Sequence, residues 1–389
     1  MAFSYFSGDH HLYSVVVLGI TKYEIIAAMS DILIVGGGLA GLLAAREFVL
    51  AGADVTVVER GELARESSWA GGGILSPLYP WRYPTAVTAL AAWGQPRFEA
   101  LAAELLDVSG IDPEFIPSGL LMRADADVDK ALQWATQQQV HLERIDAAAS
   151  QRLEPQLNNG FDALWMPQIG QIRNPRLMQS LVKYLEIKGV SFQTGTPVTA
   201  LNIDADAVTG VTTTTGSLSA AKVVVASGAW SRALLEKLGP MLNVEPVRGQ
   251  MLLFKTEPGL VKHIIMVKGH YLIPRRDGHV LVGSTMERVG FDKNTTVAAE
   301  QTLMAAVRQI MPALLKAPLV NHWAGLRPGT RQGIPYICIH PEVSGLFINT
   351  GQFRNGVVTG PGSARLLADI VLGREPMVNP MPYAWHSEH

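Results

Sequence analysis

Three glycines near the start of the chain have the spacing of a dinucleotide-binding turn. Gly36, Gly38 and Gly41 form a GxGxxG pattern directly after an apolar run at 31–35. The run is typical of a buried parallel strand, and the residues after the glycines have the periodicity of a helix. In such a unit the glycines make the turn, admit a pyrophosphate and let the helix pack on the strand. The pattern predicts an anion site at the helix N-terminus.

An acidic residue ends the next predicted strand. Glu59 follows the apolar run at 55–58 and lies 18 residues after Gly41. A separation of roughly 20 residues is expected for a carboxylate that accepts hydrogen bonds from an adenosine ribose. A carboxylate there would also repel a 2′-phosphate. The unit 31–60 therefore favours FAD or NAD over NADP.

Further glycine-rich turns favour FAD between these two. Residues 65–75 are predicted to form a polar turn and a glycine triplet, and 227–230 form a second strand-to-helix turn. Another glycine turn at 351–356 precedes a helix predicted over 362–372. A flavin needs backbone donors along its ribityl chain and rings, whereas a nicotinamide cofactor has less need of them. A helix N-terminus after the last turn would also stabilise negative charge on a flavin.

Composition excludes several classes of function. A chain of 389 residues can form two domains, and its net charge of −2 gives no indication of a nucleic-acid or acidic-membrane partner. A single cysteine, Cys338, excludes an intramolecular disulfide and a cysteine zinc cluster, which suits a cytoplasmic protein. No apolar run approaches the roughly 18 residues of a membrane span. We therefore expect a metal-free enzyme that acts on a small molecule.

The middle of the chain changes from α/β periodicity to alternating strands. One helix is predicted over 87–106, and short strands with a hairpin turn at Asp277-Gly278 follow residue 247. A second amphipathic helix is predicted over 297–311, and a loop over 323–330. The antiparallel segment is expected to face the substrate.

Taken together, the motifs resemble the flavin-dependent D-amino acid oxidase superfamily and, within it, the glycine oxidases. The similarity runs from about residue 30 to 374 and rests on VGGGLAG with VVER, SSWAGGG, ASGAW, VRGQ, HYLIPRR with VGSTM, WAGLRPGT and GQFRNG. The resemblance implies an α/β fold in which a Rossmann-type, glutathione-reductase-like FAD domain carries an inserted β-rich substrate domain. The expected division is an N-terminal extension at 1–29, an FAD domain at 30–100, 165–246 and 323–389, and a substrate domain at 101–164 and 247–322.

The resemblance also assigns the substrate pocket. Arg327 matches the arginine that clamps the substrate carboxylate, and Tyr271 matches the tyrosine whose hydroxyl joins it, so these two carry the catalytic role. Met286 and Arg354 match positions that line the same pocket. A guanidinium suits this task because it grips a carboxylate bidentately. The alternatives are a solvated loop arginine at Arg327, packing roles for Tyr271 and Met286, and a loop-bracing role for Arg354.

FAD is expected to be bound without a covalent link, because Cys338 does not match the cysteine that carries covalent flavin in sarcosine oxidases. Gln352 and Gln332 depart from the histidine and aspartate found in many relatives. The residues expected to contact FAD come from several separate segments. They are Gly36, Gly38, Leu39, Ala40, Gly41, Glu59, Arg60, Ser67, Ser68, Ala70, Gly71, Gly72, Val198, Gly228, Trp230, Gly325, Arg327, Arg354, Asn355 and Gly356.

The implied activity is oxidation of glycine, with sarcosine or small D-amino acids as further substrates. A hydride passes to the flavin, dioxygen is reduced to hydrogen peroxide, and the imine hydrolyses to glyoxylate and ammonia. The implied role is in assembly of the thiamine thiazole, in a homo-oligomer of up to four subunits. Two alternatives remain open: a D-amino acid dehydrogenase that reduces a quinone, and a flavin- or NAD-binding regulatory module without turnover.

Overall fold

The computed structural model describes residues 30–239 and 241–385, and the predicted extension at 1–29 lies outside them. The strands are β1 (Ile32–Val35), β2 (Val55–Val58), β3 (Leu120–Arg123), β4 (Glu143–Ile145), β5 (Ala163–Met166), β6 (Ser191–Gln193), β7 (Val198–Asp204), β8 (Ala207–Thr213), β9 (Gly216–Ser219), β10 (Val223–Val225), β11 (Glu245–Lys255), β12 (Ile264–Val267), β13 (His270–Pro274), β14 (His279–Gly283), β15 (Leu319–Gly329), β16 (Tyr336–Ile339) and β17 (Leu346–Thr350). The helices are α1 (Leu39–Leu50), α2 (Glu66–Ala70), α3 (Thr85–Gly94), α4 (Phe98–Ser109), α5 (Val128–Gln138), α6 (Ala147–Leu153), α7 (Asn174–Ile187), α8 (Ser231–Leu235), α9 (Val297–Ile310) and α10 (Gly356–Val371). Short 3-10 turns lie at Pro80–Arg82, Gln95–Arg97, Gly228–Trp230, Pro312–Lys316, Phe353–Asn355 and Met381–Tyr383.

A six-stranded sheet carries the first motif. Its order is β16-β17-β10-β1-β2-β6, and every neighbouring pair is parallel except the edge pair β16 and β17. All residues of β1 are buried, with Ile32 and Ile34 in one core and Leu33 and Val35 in another. Burial on both faces explains why this strand is a continuous apolar run rather than an alternating one.

Different layers cover the two faces of this sheet. Helices α1, α3, α4, α7 and α10 pack on one face, and the antiparallel sheet β7-β8-β9 packs on the other through residues such as Val208 and Val211. Helix, parallel sheet and antiparallel sheet form three layers around two hydrophobic cores. The predicted Rossmann-type domain is confirmed.

A second sheet faces the first across the candidate site. Its order is β15-β11-β14-β13-β12-β3-β5-β4, and it is antiparallel except for the β12 and β3 pair. Leu272 and Val282 pack with α9, whereas Tyr271, Ile273 and Leu281 belong to the core on the opposite face. This alternation places every second side chain of β13 and β14 toward the first sheet. The predicted β-rich insertion is confirmed.

Two predicted elements have different boundaries. The single helix expected over 87–106 is two helices, α3 and α4, because the turn at Gln95–Arg97 contains Pro96, which lacks an amide hydrogen. Helix α10 begins at Gly356 instead of residue 362. Its early glycines allow close packing, since a Cβ on Gly360 would lie 2.9 Å from Leu43 Cδ1 and one on Gly362 would lie 2.7 Å from the Leu90 carbonyl oxygen.

The loop expected over 323–330 was wrong, because residues 323–329 continue β15. Gly325, Pro328 and Gly329 appear to break a strand, yet all three pair with β11. β15 is at the edge of its sheet, where a proline costs no ladder hydrogen bond on the open side. The expected domain boundaries at 100/101, 164/165, 246/247 and 322/323 fall inside α4, β5, β11 and β15. We propose moving them so that each strand stays with its sheet.

Candidate active site

A cavity of about 520 Å³ lies between the two large sheets. Residues from the ends of β1 and β2 line one part of it, and residues from β11, β13 and β15 line another. The volume is in the range of roughly 300–1,000 Å³ that small-molecule and cofactor sites occupy. Among the described residues, no cluster of His, Cys, Asp and Glu could hold a metal ion, and no helix is long and apolar enough to span a membrane.

Two of the three glycines of the first motif, Gly36 and Gly41, leave no space for a side chain. Gly36 has a φ of +119°, and a Cβ there would lie 2.5 Å from the Ala226 carbonyl oxygen. A Cβ on Gly41 would lie 2.0 Å from the Gly36 carbonyl oxygen. Gly38 precedes α1, and Leu39 and Ala40 of the first turn of α1 line the cavity. The strand, turn and helix have the form that an anion site at a helix N-terminus requires, and the contacts of these residues with FAD stay a prediction.

Glu59 lies at the cavity wall just after β2. Its two carboxylate oxygens accept hydrogen bonds from the amides of Gly37, at 2.8 Å, and Gly61, at 3.1 Å. Each oxygen still has acceptor capacity for a ligand hydroxyl. The backbone therefore holds the carboxylate in the place expected for a ribose contact.

A stack of side chains borders the same end of the cavity. The Arg60 guanidinium lies 3.6 Å from the centre of the Trp230 indole, and Phe291 stacks on Trp230 with 5.4 Å between ring centres. Glu66 forms ion pairs with Arg60 and with Lys293. Phe291 and Lys293 come from the segment after β14, so this stack fastens the second sheet to the nucleotide end. Sequence analysis missed this role for Phe291.

The loop from Ser67 to Gly73 lies along the cavity. Ser68 Oγ accepts from the Leu39 amide at 2.9 Å, and its carbonyl accepts from Asn174 Nδ2 at 2.7 Å. A Cβ on Gly71 would lie 2.7 Å from Asn174 Nδ2. The residues before the glycines form the short helix α2 rather than the predicted turn. Ser67, Ser68, Ala70, Gly71 and Gly72 all line the cavity.

Arg327 projects from β15 into the cavity. Its guanidinium donates to Ser284 Oγ at 2.9 Å and to the Thr285 carbonyl at 3.2 Å, and no described carboxylate lies within ion-pair distance. Burial lowers the pKa of Arg327, the nearby Tyr271 opposes that shift, and the positive charge of Arg354 adds to it. Arg327 is partly buried, and a partly desolvated cation without an anion is unfavourable, so the site is suited to an anionic ligand.

Gly249 on β11 makes room for this guanidinium. A Cβ at position 249 would lie 2.1 Å from Arg327 Nη1 and 2.3 Å from Cζ. Arg327 therefore lies flat across the Gly249 backbone, and any other residue would displace it. The VRGQ motif contains Gly249, but its spacing alone gave no indication of this packing.

Tyr271 is buried on β13 and lines the cavity beside Arg327. Its hydroxyl contacts Met251 Sδ at 3.5 Å, which is a weak hydrogen bond and leaves the hydroxyl able to serve a ligand. A Cβ on Gly283 would lie 2.5 Å from the Tyr271 ring, so the strand pairing fixes the ring position. The structure thus brings Tyr271 and Arg327 together.

A turn before α10 supplies the remaining polar groups. Arg354, Asn355 and Gly356 line the cavity, and Arg354 has no partner among the described side chains. Asn355 is 3% exposed, and both polar atoms of its side chain are buried without a partner. Gln352 Nε2 donates to Asn349 Oδ1 at 2.7 Å, and this hydrogen bond fixes the orientation of the Gln352 amide. Unpartnered groups on a cavity wall indicate ligand contacts.

The predicted pocket position of Met286 is corrected by the structure. Met286 is 61% exposed and does not line the cavity. The backbones of Arg248 and Glu287 exchange two hydrogen bonds, of 2.8 and 2.9 Å, which extends residues 285–287 like a strand. Thr285 and Glu287 therefore face β11, and Met286 between them faces the opposite way.

The remaining predicted contacts with FAD lie on the cavity wall with one exception, Gly41. They are Gly36, Gly38, Leu39, Ala40, Glu59, Arg60, Val198, Gly228, Trp230, Gly325, Arg327, Arg354, Asn355 and Gly356, whereas Gly41 lies behind the wall against Gly36. Cys338 is buried in β16, lies outside the cavity lining, and burial raises the pKa of its thiol to about 12.

Comparisons with known proteins agree with this arrangement. The chain is 48% identical over 355 residues to a glycine oxidase of Pseudomonas aeruginosa, covering 91% of this chain and 98% of that protein. It is 30% identical over 375 residues to a bifunctional protein ThiO/ThiG of a Nostoc species, covering 91% of this chain and 55% of that protein. The crystal structure of glycine oxidase from Geobacillus kaustophilus superimposes with a TM-score of 0.87 at 27% identity, covering 93% of this chain and 99% of that one.

The family model for FAD dependent oxidoreductases, DAO, matches residues 31–370. This range includes both large sheets and nearly all of the cavity lining. The chain therefore belongs to the DAO family of FAD-dependent oxidoreductases.

Proposed function

We propose that this protein oxidises glycine, and also sarcosine and small D-amino acids, with FAD as its cofactor. The observation that carries the proposal is the unpaired Arg327 guanidinium on the wall of a cavity whose other end is a dinucleotide cradle. The family indicates FAD as the cofactor, and the similarity to glycine oxidases indicates glycine as the first substrate to test.

The described residues fit FAD. The cradle glycines and the start of α1 suit a pyrophosphate, Glu59 suits a ribose, and the buried amide of Asn355 lacks a protein partner. When bound, FAD supplies the two-electron acceptor for the substrate and is reoxidised by dioxygen. Because Cys338 lies outside the cavity, we propose that the cofactor is held without a covalent bond.

Arg327 and Tyr271 would hold the substrate carboxylate. Arg327 offers a planar fork of donors, and the Tyr271 hydroxyl adds a further donor from the neighbouring wall. Arg354 would raise the local positive potential, which strengthens binding of an anion. Anchoring the carboxylate leaves the α-carbon in one orientation, and positioning of this kind lowers the barrier without a covalent step.

The chemistry balances without a protein base at the α-carbon. Glycine loses a hydride and the amine loses a proton, which gives the imine. Dioxygen takes the two electrons with two protons and becomes hydrogen peroxide, and water converts the imine to glyoxylate and ammonia. The lining contains no histidine among the described residues, and its carboxylates are Glu59, Glu62 and Glu66, near the nucleotide cradle.

The ThiO/ThiG name of one relative supports a role for the imine in assembly of the thiamine thiazole. We also propose a cytoplasmic homo-oligomer of up to four subunits. The single cysteine supports the compartment, and sedimentation of the purified protein would measure the subunit number.

An oxygen-uptake panel tests the proposal. Purified yellow protein is mixed with glycine, sarcosine, D-alanine and L-alanine, and oxygen consumption, peroxide and keto acid are measured. We expect uptake with glycine and little with L-alanine. Colourless protein, or yellow protein that glycine does not bleach, would reject the proposal. Bleaching without oxygen uptake, with turnover only when a quinone is added, would favour the dehydrogenase.

A further inference from the structure

Arg275, immediately after β13, is buried in a way that packing alone does not explain. It is 7% exposed, and no carboxylate of residues 30–239 or 241–385 lies within ion-pair distance of its guanidinium. Burial lowers the pKa of Arg275 to about 10, and the neighbouring charge of Arg173 lowers it further while Glu114 and Asp277 oppose the shift. The side chain therefore stays charged at neutral pH. A buried cation of this kind is retained only if its donors are used.

The guanidinium uses its donors on the backbone and on one amide. Nη1 donates to Gln171 Oε1 at 2.7 Å and to the Ile172 carbonyl at 3.2 Å, and Nη2 donates to the Gly72 carbonyl at 2.8 Å. The rigid fork of an arginine fixes such acceptors relative to one another, which an ammonium group does not do. Arg275 thus ties the glycine loop to the segment before α7.

The hydrogen bonds also set the direction of the loop amides. The carbonyl of Gly72 is held by Arg275, and that of Gly73 accepts from the Ile172 amide at 2.9 Å. In a trans peptide the carbonyl and the following N–H point to opposite sides, so the Gly73 N–H faces away from Arg275. Gly72 and Gly73 both line the cavity, and neither amide has an acceptor among the described residues.

We propose that Arg275 is a positioning residue for FAD. It lies outside the cavity wall and contacts no ligand itself, but it fixes the loop at Gly72 and Gly73 so that the amides are free to donate to the bound cofactor. Tyr271 and Ile273 lie on one face of β13, Arg275 follows two residues later just after the strand, and a Cβ on Gly72 would lie 2.9 Å from Ile273 Cδ1. The same strand face therefore supports both the substrate tyrosine and the cofactor loop. The inference rests on FAD binding and not on glycine as the substrate.

The test measures FAD binding to the apoprotein by quenching of flavin fluorescence. Arg275→Met keeps an unbranched apolar stem but removes the guanidinium and all three hydrogen bonds, and we expect the FAD dissociation constant to rise by roughly tenfold or more. Arg275→Lys keeps the charge and should restore only part of the affinity. The matched control is Arg276→Met, because the next side chain is 53% exposed and binds Asp112 and the Phe115 carbonyl instead. It should leave the dissociation constant unchanged.

Thermal unfolding separates positioning from simple support of the fold. Since FAD stabilises only the folded state, the increase in Tm that saturating FAD produces depends on its affinity. We expect Arg275→Met to reduce this increase. If apoprotein and holoprotein lost equal amounts of Tm and the dissociation constant stayed at the wild-type value, the proposal would be overturned.

A milder variant keeps the test decisive if Arg275→Met does not fold. Gln171→Met removes one acceptor of Arg275 and leaves the loop sequence intact, so the FAD dissociation constant should rise several-fold. If Gln171→Met and Arg275→Lys both left the FAD dissociation constant unchanged, the proposed role of Arg275 would be contradicted. The outcome is distinct from that of the oxygen-uptake panel. Wild-type protein that binds FAD but ignores glycine would reject the proposed substrate and leave the role of Arg275 standing.

Discussion

The nucleotide end of the cavity is lined mainly by backbone, whereas the substrate end is lined by long side chains. At the nucleotide end, Gly36 and Gly38 bring the backbone to the wall, and Gly41 behind them lets α1 pack closely. At the substrate end, Tyr271 and Arg327 reach the wall as long side chains from two strands of the other sheet. The first region needs side chains to be absent, whereas the second needs particular side chains in register. Adding a side chain should therefore damage the nucleotide end, whereas removing a side chain should damage the substrate end.

The two ends also differ in how their charges are satisfied. Glu59 already accepts two backbone amides, so it remains a fixed acceptor for a neutral hydroxyl. Arg327 is partly buried and is held by the Ser284 hydroxyl, the Thr285 carbonyl and the nearby Tyr271, with no carboxylate partner among the described residues. The nucleotide end is largely complete without a ligand, and the substrate end is completed by an anion.

Gly41→Val should have the largest effect and should act only through the cofactor. The new side chain would collide with the Gly36 carbonyl, 2.0 Å from the Cβ position, and separate α1 from β1. We expect purified protein without yellow colour and no measurable FAD binding by fluorescence quenching. Gly61→Ala is the control, because a Cβ there meets nothing within 4 Å. If Gly41→Val retained wild-type FAD affinity, the cradle would have been assigned to the wrong glycines.

Gly249→Ala should have the opposite pattern of effects: it should weaken substrate binding and leave FAD bound. Its Cβ would occupy the place of the Arg327 guanidinium and displace it from the substrate carboxylate. The KM for glycine should rise by about tenfold to a hundredfold, because losing a hydrogen bond to a charged group costs about 1.5–3 kcal/mol. FAD content should stay at one per chain, as measured by absorbance. Loss of FAD with an unchanged KM would contradict this assignment, because Gly249 would then serve the cofactor and not the substrate.

Tyr271→Phe should have a smaller effect at the substrate end. Removing one hydroxyl that donates to a charged carboxylate should raise the KM for glycine by roughly tenfold. Tyr184→Phe is the control, because its hydroxyl binds Glu104 in the helical layer away from the cavity. Equal KM values for the wild type and Tyr271→Phe would limit Tyr271 to packing.

Treatment of the native protein with an alkylating reagent should have the smallest effect, because Cys338 should hardly react. Burial raises the pKa of this thiol to about 12, so at pH 8 it remains protonated and a poor nucleophile. Mass spectrometry should find almost no iodoacetamide adduct on the native protein and complete reaction in denaturant. Rapid labelling of native protein, with loss of activity, would place the thiol nearer the cavity than the structure does.

The nucleotide end was predictable because its information is local. The spacing of Gly36, Gly41 and Glu59 within one strand, turn and helix unit indicated the place of each residue. The substrate end depends on pairing between distant strands. Met286 was misplaced because the short bridge between Arg248 and Glu287 decides which way residue 286 faces, and no local pattern contains that register. Gly249 and Arg275 were missed as parts of the site for the same reason.

The glycines also misled the prediction of secondary structure where they serve packing. Gly325 and Gly329 suggested a loop, but they lie in an edge strand where a Cβ on Gly325 would lie 2.7 Å from Ala70 Cβ. Gly360 and Gly362 suggested a later helix start, but they let α10 approach α1 and α3. Glycine marks both turns and close contacts, and only the neighbours in space distinguish the two.

The most direct test is the affinity of the Arg327→Ala holoprotein for a small carboxylate such as glycolate, measured from the change in the flavin absorption spectrum. If the unpaired guanidinium anchors the substrate carboxylate, the dissociation constant should rise by about a hundredfold or more while FAD stays bound, because the carboxylate loses its bidentate partner. A dissociation constant equal to that of the wild type would contradict the account.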